Sequence, residues 1–140
     1  WLRRCRVQPA DGAVGEVELC IADTTVAYGH EYWGSLDQIV ITPTVEKSFL
    51  QFSLAMKNVS HWHGSVLTSR SGQSGRAVTV QAFANLCGKY FLPYSCEPMH
   101  DEAALGRIMQ GLNRVGGWGC FSDVEKLGMG LLAKLASSVQ

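Results

Sequence analysis

A glycine-bearing loop that leads into a helix is the first feature of this sequence that could do chemistry. It runs Ser71-Gly72-Gln73-Ser74-Gly75-Arg76-Ala77. A loop that cradles phosphates needs glycines where the backbone approaches the phosphate oxygens, a lysine for the terminal phosphates and a hydroxyl for Mg²⁺. Gly75 is present, but Arg76 stands in the lysine position and Ala77 in the hydroxyl position. The pattern predicts a phosphate loop that lacks part of its chemistry.

Composition is that of a globular domain. The chain has 140 residues, 46% hydrophobic and 17% charged, with a formal net charge of zero. This balance argues against a disordered chain, and the absence of a basic run argues against nucleic acid or an anionic membrane as partner. No apolar stretch approaches the roughly 20 residues of a membrane helix, and the first residues lack the apolar core of a signal peptide. We therefore expect an intracellular protein.

Cysteine and histidine usage predicts neither disulfides nor a metal site. The five cysteines are widely spaced and contain no C-x-x-C pair, so they are expected to be reduced and mostly buried. The tract His61-Trp62-His63 could offer two imidazoles to a metal, but no third ligand lies close by in sequence. A surface turn is the favoured interpretation of that tract.

The periodicity of apolar residues predicts alternating strands and helices after a short N-terminal region. Predicted strands cover 17–22, 38–41, 65–68, 90–94 and 118–121, and predicted helices cover 43–58, 77–87, 101–115 and 124–137. An aromatic loop is predicted at 28–34. Thr42 is placed to cap the first helix, Asp101 to cap the third, and Gly116-Gly117 to end it.

The predicted helices carry apolar stripes that a core would bury. In each helix the apolar residues recur at three- and four-residue steps, which places them on one face. The stripes are Val45, Phe49, Phe52 and Met56; Val80, Phe83, Ala84 and Cys87; and Leu105, Ile108, Met109 and Leu112. Such stripes are more often core than a cofactor site. Because each later strand is returned by a helix, the fold class is α/β with a parallel sheet. Pro93 cannot donate to a ladder and predicts an edge position for its strand.

Several tracts, in order and spacing, resemble the first AAA+ ATPase module of dynein heavy chains. The family tract Y-x-Y-E-Y-L-G corresponds to Tyr28–Gly34, and V-I-T-P corresponds to Val40–Pro43. The glycine-spaced run into W-x-C-F is matched through Trp118, Cys120 and Phe121. The resemblance covers essentially the whole chain and implies a partial P-loop AAA+ module. It divides into N-terminal strands with the aromatic loop over 1–41 and the P-loop body over 42–140.

The glycine loop departs from the family pattern G-P-A-G-T-G-K-T. Arg70 and Gln73 replace glycines, which adds side chains where the backbone needs close access to phosphate. Arg76 keeps a positive charge, but its planar fork does not substitute for a compact ammonium group in a tight loop. Ala77 removes a ligand of Mg²⁺. The resemblance therefore implies a degenerate loop.

The acidic half of the site is altered as well. The family tract C-F-D-E-F-N-R corresponds to Cys120 through Lys126, so Ser122 stands where the metal-supporting aspartate would be and Asp123 where the water-activating glutamate would be. Sliding the register by one gives Asp123 the metal role but puts Val124 in the base position. Neither register restores both carboxylates. A helix-capping role for Asp123 is favoured over a catalytic one.

Two functions follow as expectations from the resemblance. The favoured one is a structural AAA+ module with negligible hydrolysis, in which ATP or ADP binds weakly and Mg²⁺ is poorly held. Its candidate nucleotide-binding residues are Val40, Ile41, Gly72, Gly75 and Arg76, with Asp123 as the only candidate for a weak catalytic base. The alternative is a weak ATPase of a microtubule motor that uses Arg76 and Asp123 as substitutes. An adaptor surface that only inherited the fold is a third possibility.

Partners and location are expected from the same resemblance. Neighbouring AAA+ modules of the same heavy chain would be direct partners, and dynein subunits and microtubules would be reached through other parts of the parent. Nucleic acid and membrane are not expected. The cytoplasm and the cytoskeleton, including a cilium or flagellar axoneme, are the expected locations. The resemblance also implies that a further sheet strand lies beyond Gln140, so that the module is incomplete and poorly stable alone.

Overall fold

The computed structural model describes residues 5–9, 17–21, 24–35, 38–57, 64–70, 74–96 and 102–138. Its strands are β1 (Cys5–Pro9), β2 (Val17–Ile21), β3 (Thr24–Ala27), β4 (Phe91–Ser95) and β5 (Trp118–Ser122). Its α-helices are α1 (Pro43–Lys57), α2 (Arg76–Leu86), α3 (Glu102–Val115) and α4 (Met129–Ser138), and a short 3₁₀ turn covers Val124–Lys126. The architecture is α/β, as predicted. The glycine-loop residues 71–73, the tract 61–63 and the predicted cap Asp101 lie outside the described residues.

The strands form two small sheets. β1, β2 and β3 make an antiparallel sheet in chain order, with Leu19 opposite Val26 between β2 and β3. β4 and β5 pair in parallel, from Phe91 opposite Trp118 to Ser95 opposite Ser122. The parallel pairing confirms the prediction from strand–helix alternation. The strand at β2 was predicted, whereas β1 and β3 had no individual prediction.

Helix α1 begins as its sequence predicts. Pro43 is its first residue, and the Val45 backbone N–H donates to Thr42 Oγ1 at 3.4 Å. Phe49 and Phe52 face inward and are 2% and 8% exposed. The apolar stripe of the sequence is therefore the buried face of the helix.

The first cluster is the larger of two hydrophobic clusters and joins the antiparallel sheet to α1 and α2. Phe83 of α2 lies at its centre, with its ring centroid 5.2 Å from that of Phe49, 5.4 Å from that of Phe52 and 5.7 Å from that of Trp118. The buried members of this cluster are Leu19, Ile21, Val26, Phe49, Phe52, Phe83 and Cys87. Because Trp118 begins β5, the cluster also reaches the parallel sheet.

The second cluster packs α3 and α4 against the far ends of β4 and β5. Its buried members are Cys96, Leu105 and Leu127. The rings of Tyr94 and Phe121 contact each other beside it, with centroids 5.8 Å apart. An exposed ion pair between Lys134 and Glu102 also links α4 to α3.

Two helices end at glycines in the left-handed region. After α2, Gly88 has φ 60°, and the Lys89 backbone N–H donates to the Ala84 carbonyl at 3.0 Å. After α3, Gly116 has φ 69°, and the backbone N–H groups of Gly116 and Gly117 both donate to the Leu112 carbonyl. Only glycine adopts this conformation without strain, so the predicted helix stop at 116–117 is confirmed.

Two predicted strands are wrong. Residues 38–41 are not a strand, because the Thr42 backbone N–H donates to the Val40 carbonyl at 3.1 Å and turns the chain locally into α1. Residues 65–68 are not a strand, and of their side chains only that of Leu67 is partly buried, against the first cluster. Val66 is 88% exposed, and no described strand lies beside this segment to supply a ladder.

The predicted last helix is interrupted. Asp123 has φ 55°, the 3₁₀ turn ends at Lys126, and Leu127 has an extended ψ of 141°. Leu127 is buried in the second cluster, and α4 begins only after Gly128. A continuous helix over 124–137 is therefore wrong, because burial of Leu127 requires a break in the helical backbone.

Candidate nucleotide site

The end of the glycine loop keeps a backbone suited to an anion. Gly75 precedes α2 with φ 70° and ψ 21°, and no side chain in the described part of the chain caps the helix there. The first intrahelical bond runs from the Thr79 backbone N–H to the Gly75 carbonyl at 2.9 Å. The backbone N–H groups before Thr79 therefore have no acceptor within the helix, as at any helix N-terminus. A Cβ built on Gly75 would meet no atom of the described residues within 4 Å.

The side chains around this backbone are two arginines and an alanine. Arg76 is the first residue of α2 and is half-buried, while Arg70 and Ala77 are exposed. A methyl group at Ala77 offers no oxygen to a metal ion. Gly72 lies outside the described residues, so its predicted role stays a prediction.

Topology brings the two halves of the candidate site to one edge of the parallel sheet. α2 and β4 are joined by a short turn and run in opposite directions, so the N-terminus of α2 lies toward the carboxyl end of β4. β5 runs parallel to β4 and ends at Ser122 beside Ser95. Gly75 and the residues after β5 therefore belong to the same edge, where ligands bind in open α/β sheets.

The first residue of the acidic half of the site is Ser122, which carries no charge. The Ser122 hydroxyl donates to the Tyr94 carbonyl at 3.3 Å, so it serves the β4–β5 pair. A serine hydroxyl with this bond supplies no negative charge for a cation. The second position, Asp123, holds a carboxylate.

Asp123 adopts an uncommon backbone conformation. Its φ of 55° is left-handed, and its side chain makes no capping hydrogen bond to the following 3₁₀ turn. The predicted capping role is therefore wrong for the side chain, although the residue does precede the turn. The pKa of Cys96 is raised by burial first, and then by the negative charges of Asp123 and Glu125.

The two residues predicted to contact adenine differ in exposure. Val40 is 82% exposed, whereas Ile41 packs partly against the first cluster. A groove of about 620 Å³ does lie nearby, between α1 and residues 65–67, with Lys47, Gln51 and Phe52 on its wall. None of the predicted nucleotide-binding residues lines that groove. The roles of Val40 and Ile41 stay predictions.

The described residues hold no cluster of three or more histidine, cysteine or acidic side chains that could bind a metal ion. Cys20, Cys87, Cys96 and Cys120 are free thiols, with Cys87 and Cys96 buried. The pKa of Cys120 is raised by burial. None of the helices in the described ranges has the length and apolar character that a membrane crossing requires.

The sequence predicted the aromatic loop but not the contact that Trp33 makes with residues 89 and 90. The Trp33 indole Nε1–H donates to the Lys89 carbonyl at 3.1 Å, and the Trp33 and Tyr90 rings stack with centroids 5.8 Å apart. The bulk of Trp33 within a loop was the signal available in the sequence. Its hydrogen-bond partner, Lys89, is 56 residues away in the chain and could not be predicted from the spacing of residues.

Comparison with known proteins decides the family. The family described as the hydrolytic ATP binding site of the dynein motor region matches residues 28–140. The chain belongs to this dynein family. It is 30% identical to the cytoplasmic dynein heavy chain of Caenorhabditis elegans over 145 aligned residues, which cover 100% of this chain and 3% of that protein.

Other dynein relatives agree. The chain is 32% identical to dynein heavy chain-like protein 1 of Plasmodium falciparum (isolate 3D7), over 85% of this chain and 2% of that protein. It is 27% identical to dynein axonemal heavy chain 5 of Rattus norvegicus, over 99% of this chain and 4% of that protein. The chain therefore spans only a few hundredths of the length of these relatives. A motor-related AAA+ module of a dynein heavy chain is the function class that this family supports.

Proposed function

We propose that this dynein-type AAA+ module binds ATP or ADP weakly, does not hydrolyse it, and serves as a structural part of an ATPase ring. The family supplies the fold and the nucleotide-binding class. The loss of hydrolysis is argued from the residues of the site.

The neutral position at Ser122 is the observation that carries the proposal. Its hydroxyl is bonded to the Tyr94 carbonyl, and Ala77 at the other half of the site has no oxygen in its side chain. A bound Mg²⁺ would neutralise charge that develops on the transferred phosphate, and this chain offers it no carboxylate at Ser122 and no side-chain oxygen at Ala77. A single cationic group at that phosphate is worth roughly a thousandfold or more in rate. Hydrolysis is therefore expected to be negligible, with Mg²⁺ poorly held.

Nucleotide binding requires less than hydrolysis. The α2 N-terminus offers backbone N–H groups after Gly75, and Arg76 adds a positive charge beside them. Val40 and Ile41 supply apolar surface for a base, with Gly72 completing the loop by resemblance. The N-terminus of α2 would bind the phosphates, and Val40 and Ile41 would contact the base. Neither contact needs the groups that hydrolysis requires, so we expect weak binding of ATP or ADP without turnover.

The family also suggests partners and location. Neighbouring AAA+ modules of the same heavy chain would contact this one, and other dynein subunits and microtubules would be reached through the rest of the parent. The relatives include a cytoplasmic and an axonemal heavy chain. We place the parent in the cytoplasm on the cytoskeleton, including a cilium or flagellum.

A weak ATPase is the second candidate, because Asp123 keeps a carboxylate that makes no capping bond. Directly after β5, this carboxylate would act as a weak base toward water, with Arg76 in place of the usual lysine. The residual rate of ATP hydrolysis would then require the Asp123 carboxylate as the base.

Photoaffinity labelling with 8-azido-ATP in the intact protein, followed by peptide mapping, tests binding at this module specifically. We expect labelling of the peptide that contains Val40 and Ile41, with little dependence on Mg²⁺. No labelling at millimolar nucleotide would overturn the binding proposal and leave a purely structural module.

Phosphate release, measured on the same intact protein, separates the two candidates. Asp123→Asn should leave the rate unchanged if this module does not hydrolyse ATP. The matched control is Glu125→Gln, an exposed carboxylate two residues along the chain. A Mg²⁺-dependent fall in rate with Asp123→Asn but not with the control would establish the weak ATPase instead.

A further inference from the structure

The aromatic loop, residues 28–34, is bonded to the turn after α2, residues 87–90. Three donors on alternate residues of the loop meet three consecutive carbonyls of the turn. They are the Gly29 backbone N–H to the Cys87 carbonyl at 2.8 Å, the Glu31 backbone N–H to the Gly88 carbonyl at 2.9 Å, and the Trp33 indole N–H to the Lys89 carbonyl at 3.1 Å. The loop thereby bonds the carbonyls that follow the last turn of α2.

Trp33 supplies the side-chain part of this contact. Its ring lies at 17° to the ring of Tyr90, with centroids 5.8 Å apart. Trp33 therefore stacks on Tyr90 and also donates a hydrogen bond to the carbonyl of the preceding residue, Lys89. Tyr32, its neighbour in sequence, is 92% exposed and makes no comparable contact. A phenylalanine at position 33 could keep the stacking but not the hydrogen bond, and a leucine could keep neither.

Close packing of glycines fixes the distance between loop and turn. A Cβ built on Gly29 would lie 2.2 Å from the Gly88 carbonyl oxygen, and one built on Gly88 would lie 2.6 Å from the Tyr28 ring. The loop is also tied to the antiparallel sheet, because the Tyr28 backbone N–H donates to the Val17 carbonyl at 3.0 Å. The contact is therefore short, specific and anchored on both sides.

We propose that Trp33 is a positioning residue that holds the C-terminal end of α2 and so orders the phosphate-loop end of the same helix. α2 has 11 residues, a length of roughly 16 Å over which a helix moves as a rigid unit. The loop leads on to Val40 and Ile41, so the contact also fixes the segment that would bind the base relative to Gly75. This second consequence rests on the proposed nucleotide binding, and the first does not.

Peptide-resolved hydrogen exchange on the intact protein tests the first consequence. Trp33→Phe should raise exchange rates in residues 28–34, in residues 87–90 and, decisively, in residues 74–82 at the start of α2. Loss of one hydrogen bond predicts a rise of roughly two- to tenfold, and Trp33→Leu should exceed it. Tyr32→Leu is the matched control and should change none of these segments.

The results of these two measurements distinguish the positioning role of Trp33 from the proposed nucleotide binding. Faster exchange confined to the loop and the turn, with residues 74–82 unchanged, would reduce Trp33 to a local contact and overturn the inference. Faster exchange in residues 74–82, together with weaker 8-azido-ATP labelling at Val40 and Ile41, supports it in full. If the wild-type protein is not labelled at all, the proposed nucleotide binding fails, while faster exchange in residues 74–82 still upholds the positioning role.

Discussion

The two hydrophobic clusters support different halves of the candidate site and are built differently. The first cluster surrounds Phe83 with rings and aliphatic side chains from β2, β3, α1 and α2, and it carries the helix that follows Gly75. The second cluster buries Cys96, Leu105 and Leu127 and lies beside the end of β5, where Ser122 and Asp123 follow. The helix that follows Gly75 is therefore packed by the larger, aromatic cluster, whereas the residues after β5 rest on a smaller one. This packing is what the proposed structural role of the module requires.

Phe83→Ala should cause the largest loss of stability, because it removes the ring at the centre of the first cluster. Truncation of a buried phenylalanine costs about 3–5 kcal/mol in free energy of unfolding. Leu105→Ala in the second cluster should cost less, about 2–3 kcal/mol, because its partly exposed neighbours can relax into the space. Hydrogen exchange of the α2 and α3 segments in the intact protein measures the loss of stability that each substitution causes. Val40→Ala, at an 82% exposed position, is the control expected to change neither segment. Equal losses from the two core substitutions would contradict the comparison.

Gly29→Ala should produce the next largest effect, because its methyl group would collide with the Gly88 carbonyl oxygen. Overpacking of this kind costs about 1–3 kcal/mol, and here the obstacle is backbone that cannot rotate away. The matched control is Gly106→Ala in α3, where an added Cβ meets nothing within 4 Å. That control should gain about 0.5–1 kcal/mol, since glycine is unfavourable within a helix. Urea titration monitored by pulse proteolysis gives both values. A harmless Gly29→Ala would mean that the aromatic loop is not held against the turn.

Alkaline pH should have the smallest effect and should weaken the second cluster. Burial, aided by Asp123 and Glu125, raises the pKa of Cys96 above its ordinary value of 9.0. The folded chain therefore binds the thiol proton more tightly than the unfolded chain does. This stabilisation is fully present below pH 9.0 and is lost as the pH rises toward the pKa of the folded state. Exchange rates in α3 should rise over that range in wild type, and less so in Cys96→Ala. An identical pH dependence in the two proteins would show that Cys96 does not contribute.

Local signals predicted the first three helices well, whereas the fourth was predicted as continuous and is interrupted. Thr42 and Pro43 marked the start of α1, and the stripe through Phe49 and Phe52 marked its buried face, because capping and periodicity act over only a few residues. The same reasoning placed α2 and α3. The strand predictions at 38–41 and 65–68 failed because a short apolar run does not show whether another strand will pair with it.

The candidate site was predictable in its residue types more than in its geometry. Arg76, Ala77 and Ser122 are substitutions that the printed sequence shows directly. The bond from Ser122 to Tyr94 depends on how β5 pairs with β4, two segments far apart in the chain, so it could not be read from spacing. The left-handed backbone of Asp123 was not predicted either, because an acidic residue before an apolar run indicates a helix cap.

The sequence by itself determined the first three helices, the glycine stop after α3 and the absence of the lysine and of one carboxylate from the nucleotide motifs. These features depend on residue identity and on interactions within a turn or two of backbone. Tertiary structure alone decided that Val66 is exposed, that Leu127 breaks the last helix and that Trp33 bonds the turn after α2. The physical reason is that burial and strand pairing are set by partners distant in sequence, whose free energy of contact overrides local preference.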